Sequence, residues 1–188
     1  FAGRGTDRAL ELAARSHVRI PTAGRGLAKI LAEYEHSPIA AVHRRFYAEP
    51  RITEPAATAL RDGLEAGALP PCVSSALRQP NDRLLQPTVL QHLTRALMSR
   101  GLGPREIAGL VESLYRADFQ WGDRWQRLDP HQRAEFDVRV FSTLLRTGLD
   151  HAIDFNCMSA QEKGLCPRTG CAHDLRVDRD RLLAAVAS

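Results

Sequence analysis

Apolar positions recur along this chain at the three-and-four spacing of an amphipathic helix, not at the alternation of a strand. Ile107, Leu110, Val111 and Leu114 form the clearest stripe, and Pro104 stands where a helix would begin. Leu27, Ile30, Leu31 and Tyr34 repeat that spacing. Thr53 and Pro55 open a third stretch carrying Leu60 and Leu64, which Gly67 can end. Val89, Leu93 and Leu97 line a fourth that stops near Gly101. Asp129 and Pro130 cap a fifth bearing Phe136, Val140 and Leu144. One segment conflicts: Phe136-Asp137-Val138-Arg139-Val140 alternates like a strand, but the continuation through Leu144 and Leu145 favours a helix. The expected class is all-α.

Punctuation suggests two parts. Residues 1–66 contain no cysteine and read as a small helical N-terminal part. Gly67-Ala68-Leu69-Pro70-Pro71 then breaks the pattern ahead of a second part, residues 67–188. Gln120 to Asp129, with Trp121, Gly122 and Trp125, reads as a connecting loop with two aromatic anchors. The first residue is Phe1, which suggests a piece of a longer chain.

Composition changes this picture little. With 188 residues, 44% hydrophobic and 26% charged, the chain can bury a core without a metal to hold it together. No apolar run reaches the roughly 18–20 residues of a membrane span, and no secretory leader precedes the pattern, so the expected address is cytoplasmic. The net charge is +4, and all of the 26 basic residues except Lys29 and Lys163 are arginine. Arginine binds phosphate through a planar fork, which suits a nucleotide or nucleic-acid partner. A GC-rich coding sequence would produce the same bias.

The cysteines carry more information. There are four: Cys72, then 84 residues, Cys157, then 8, Cys166, then 4, Cys171. Three lie in a segment rich in turn formers, Asn156, Gly164, Pro167 and Gly170, where a backbone can bend to aim several thiolates at one point. Thiolates suit zinc or iron–sulfur. Structural zinc favours two tight C-x₂₋₄-C pairs, and only Cys166 and Cys171 approach one. A cluster is wider and tolerates singly delivered ligands. On spacing alone both remain open, as does a set of buried free thiols.

Other groups yield less. His173, two residues beyond Cys171, reads as a surface or capping histidine before it reads as a ligand. Asp178 and Asp180 resemble a metal-holding D-x-D but sit among arginines on a charged helix surface. No Gly-rich phosphate loop is present, and no catalytic residues are assigned. Tyr115, Trp121 and Trp125, interleaved with Arg116, Arg124 and Arg127, form a secondary candidate for base stacking.

The ordered elements Leu69-Pro70-Pro71-Cys72-Val73, Gly101-Leu102-Gly103-Pro104-Arg105-Glu106-Ile107, Phe136-Asp137-Val138-Arg139, Asn156-Cys157-Met158 and Gly164-Leu165-Cys166-Pro167 resemble, over residues 66–175, the C-terminal domain of the archaeal and eukaryotic DNA primase large subunit. The resemblance implies an all-α domain closed by a 4Fe-4S iron–sulfur cluster on Cys72, Cys157, Cys166 and Cys171, with zinc as the alternative metal. It implies that Arg139 faces nucleic acid or nucleotide. It further implies a noncatalytic accessory role beside a primase catalytic subunit or domain, binding template DNA, an RNA/DNA primer and a nucleotide triphosphate, with no membrane partner. Two features depart from the pattern. Cys171 follows Cys166 closely, as in archaeal members. Where members place a phosphate-binding arginine, the nearest register here holds Leu90 or Gln91, which shifts the expected contacts to His92, Arg95, Arg83 or Arg78. The short N-terminal part marks a divergent or fused relative. The rival expectations are an iron–sulfur redox carrier or sensor and a zinc-stabilised interaction module.

Overall fold

The structure, a computed structural model, describes residues 24–64, 69–78, 80, 84, 86–117, 129–166 and 171–187. Every regular element among them is a helix, and none of these helices is long and apolar enough to cross a membrane. In chain order they are α1 (Arg25–Glu35), α2 (Pro38–Ala48), α3 (Glu54–Gly63), α4 (Pro71–Arg78), α5 (Pro87–Met98), α6 (Pro104–Arg116), α7 (Pro130–Arg146), α8 (Cys157–Glu162) and α9 (Leu175–Ala187).

The chain divides into two compact units, residues 1–41 and 42–188. In the first, α1 forms at the expected stripe but buries none of its side chains, and Ile30, Leu31 and Tyr34 are all exposed. Ser37 ends the turn after it: the hydroxyl donates to the Tyr34 carbonyl at 2.6 Å and accepts the Ala40 N–H at 3.1 Å, starting α2.

The second unit is built on α5 and α6. α6 buries Ile107, Leu110, Val111 and Leu114, the stripe read from the sequence, together with Ala108 and Tyr115. Each large aliphatic residue so buried is worth about 2 kcal/mol. α6 makes its broadest packing with α7, and α3 covers another of its sides. α5 is buried almost all round because α4, α6, α7 and α9 all pack on it. It ends in a Schellman motif at Gly101, where φ is +85°: the Gly101 N–H donates to the Met98 carbonyl and the Leu102 N–H to that of Leu97. A side chain at Gly101 would be strained.

α7 starts as the sequence suggests, with the Asp129 carboxylate accepting the N–H groups of His131 and Gln132. The alternating segment Phe136–Val140 is helical. Its buried face, however, is not the expected one. Ala134, Val138 and Leu145 face inward, while Phe136 is 55% exposed and Val140 lies near the surface. Two apolar stripes two residues apart competed for the core, and the one led by small residues admits the close approach of α6. Gly67 and the segment around Trp121 and Trp125 lie outside the described residues, as do Pro167 and Gly170 in the cysteine segment.

Candidate metal centre and nucleic-acid interface

Cys72 is the second residue of α4. Pro71 presets the helical φ, and the Pro70 carbonyl accepts the N–H groups of Val73 and Ser74 at 2.9 Å each, which starts the helix and turns Cys72 into the core. Cys157 begins α8 directly after Asn156, whose side chain caps the helix by accepting the Ser159 N–H at 2.9 Å. α8 closes at Gly164, with φ at +66°, and the N–H groups of Leu165 and Cys166 both turn back to the Ala160 carbonyl. That turn places Cys166, half-buried, against the same core that holds Cys72. Cys171 is exposed and precedes α9.

Cys157, Cys166 and Cys171 bear on Cys72 although 84 residues separate it from the first of them in the chain. Burial pushes the Cys72 thiol up, and the charges of Cys166, Cys171 and Cys157 push it further, to about 12. Cys157 and Cys171 lie 3.8 and 4.0 Å from one acceptor, the His173 carbonyl oxygen. The Leu175 N–H donates to the Cys157 sulfur at 3.4 Å. What His173 brings to these thiols is thus its backbone. A set of thiols that repel as thiolates needs a cation among them to ionise together. Among the described residues no three His, Cys, Asp or Glu side chains stand together as a cage for a single ion.

The expected phosphate contacts occupy different surroundings. Arg95 is 2% exposed and its guanidinium is taken by carboxylates. Nε and Nη2 donate to Asp150 at 3.1 and 2.7 Å, and Nη1 donates to Asp154 at 2.7 Å. Burial works against ionised Asp154, but Lys163 and Arg95 override it and hold its carboxyl at about 2. His92 is buried too, edge-on to Phe155 with ring centroids 5.4 Å apart. In this conformation neither Arg95 nor His92 is presented to solvent. Arg78, at the end of α4, is exposed, and Arg83 lies outside the described residues. Of the stacking candidates, Tyr115 is buried with its hydroxyl donating to the Leu84 carbonyl at 3.4 Å. Asp178, expected on a charged helix surface, is instead buried and pairs with Arg100 and Arg181, while Asp180 is exposed as expected and pairs with Arg179.

Arg139 does reach a surface. It stacks on the Tyr47 ring at 5.7 Å and donates to the Tyr47 hydroxyl at 2.6 Å, while Arg105 stacks on the same ring at 5.5 Å. Tyr47, Gln132, Arg133, Phe136 and Arg139, together with the carboxylates of Asp129 and Glu135, line an open cleft of about 540 Å³. Sequence reading missed both this tyrosine and the carboxylates around Arg95, because neither set shares a short motif with its partner.

No protein-family model, curated protein or solved structure matches this chain.

Proposed function

We propose that this chain is a noncatalytic accessory domain of a DNA primase or primase-polymerase, closed by an iron–sulfur cluster, that binds template and primer or the initiating nucleotide beside a separate catalytic subunit or domain. The observation carrying this reading is that Cys157 and Cys166 pack against the core that holds Cys72, while Cys157 and Cys171 converge on the His173 carbonyl oxygen. Cys72, Cys157, Cys166 and Cys171 would hold the group. Its donor set fits in chemistry: four thiols, with a backbone N–H already donated to one of the sulfurs. When bound, the cluster supplies the positive charge that lets the thiols ionise together and ties α4 to the segment before α9.

The chain's own residues supply the rest. Arg139, stacked on Tyr47 beside the exposed ring of Phe136, offers a guanidinium and aromatic faces on one open cleft, the chemistry that single-stranded or primed nucleic acid uses. Exposed Arg78 can add a phosphate contact. Anaerobically purified protein is expected to be brown, with iron and sulfide in comparable amounts, and to bind a primed template carrying a 5′-triphosphate with an affinity that falls as salt rises. Arg139→Ala should weaken that binding and lower the salt slope by about 1 while leaving the visible spectrum unchanged. Colourless protein containing zinc, or brown protein without salt-dependent nucleic-acid binding, would overturn the assignment.

A further inference from the structure

The buried Arg95 network touches both ends of the segment that bears two of the cysteines. Arg95 sits on α5, which packs against α4, the helix of Cys72. Its guanidinium holds Asp150 with two nitrogens and Asp154 with the third. Asp150 also accepts the Ala152 N–H at 2.8 Å and the Gln91 amide at 3.2 Å, which folds the loop so that Ala152 adopts φ +50°. That is an uncommon conformation for a residue with a side chain, and here the Ala152 carbonyl also accepts the Phe155 N–H at 3.0 Å. Asp154 passes the restraint on: its other oxygen accepts the Lys163 ammonium from the far end of α8. Cys157 follows Asp154 by three residues and Cys166 follows Lys163 by three.

We infer that Arg95 is a positioning residue for the metal centre, fixing α8 so that Cys157 and Cys166 face Cys72 before any metal arrives. This rests on the reading of the four cysteines as ligands. The fork is essential to it. One planar guanidinium bridges two carboxylates that reach it at different nitrogens, which a lysine ammonium cannot reproduce.

The test uses the full chain with Arg95→Lys, Asp154→Asn and, as a control for simple destabilisation, Leu110→Ala. Two readouts are taken: amide hydrogen exchange of α8 in metal-free protein, and the chelator concentration that strips half of the visible absorption after anaerobic reconstitution with iron and sulfide. Arg95→Lys should speed α8 exchange while α6 stays protected, and should weaken metal retention by about 10–100-fold, the effect common for groups that orient ligands. Asp154→Asn should move both readouts the same way by less, and it decides the matter if Arg95→Lys does not fold. Leu110→Ala should lower global protection without changing the stripping point. Unchanged α8 exchange, or metal retention equal to the parent chain in both charge variants, would overturn the inference. If the parent chain takes up no metal, the cysteine reading and this inference fall together; metal uptake by the parent with both charge variants unaffected overturns the inference alone.

Discussion

Acid should weaken this bundle well above the pH at which its carboxylates titrate, and His92 is the group responsible. Its ring is 3% exposed, with Nδ1 3.5 Å from an Arg95 nitrogen and Nε2 without a hydrogen-bond partner among the described residues. Burial lowers its proton affinity first. The charges of Arg95 and Lys163 lower it further, against the pull of Asp154 and Asp150, to about 4 from an ordinary 6.5. A folded value below the unfolded one means that the unfolded chain takes the proton first. Stability is therefore complete above about pH 6.5, declines as the pH falls, and stops declining below about pH 4. At about 1.4 kcal/mol per pH unit the whole loss is about 3 kcal/mol, of which about 2 is gone by pH 5. Asp154 does not share that window. Burial opposes its ionisation, Lys163 and Arg95 hold it at about 2, and its contribution disappears only as the pH falls toward that value. Urea unfolding midpoints across about pH 7.5 to 4.5 measure the effect in the parent chain and in His92→Phe, which keeps a ring edge against Phe155 and removes the titration. His43, lowered by burial and by Arg139, remains in both chains and cancels. The variant should lose about 2 kcal/mol less than the parent by pH 5. Equal losses in the two chains would refute the assignment to His92.

Three further outcomes follow from burial. Leu110→Ala should destabilise the chain by about 2–5 kcal/mol, read as a lower unfolding midpoint, because Leu110 is fully buried between α6 and its neighbours. In metal-free protein, alkylation followed by mass spectrometry should modify exposed Cys171 first and Cys72 last. The same displaced thiol makes the folded chain sensitive to alkali: its stability is intact below the ordinary thiol value of 9.0 and declines as the pH rises toward about 12, a loss that Cys72→Ala should relieve.

Helices were legible wherever one apolar stripe stood alone. α6 carries a single stripe, so the side that faces inward follows from spacing. α7 carries two, and the packed structure chose Ala134, Val138 and Leu145 over Phe136 and Val140, since only the smaller stripe lets α6 approach closely. The four cysteines were legible as a set because thiols are rare and their order is distinctive. That Cys157 and Cys166 pack against the core holding Cys72 was not, since it depends on how distant helices assemble. Arg95 marks the boundary most sharply. From the sequence it is one arginine among 24, spaced suitably for phosphate. Only the tertiary structure sets Asp150 and Asp154 around it, because a buried guanidinium must find carboxylates, and a loop 55 residues away in the chain brings them. The sequence by itself determined the helical class and the candidate ligands, which depend on local spacing and residue chemistry. Tertiary structure decided which charges are buried and which remain on the surface, because desolvation and pairing arise only when distant segments pack together.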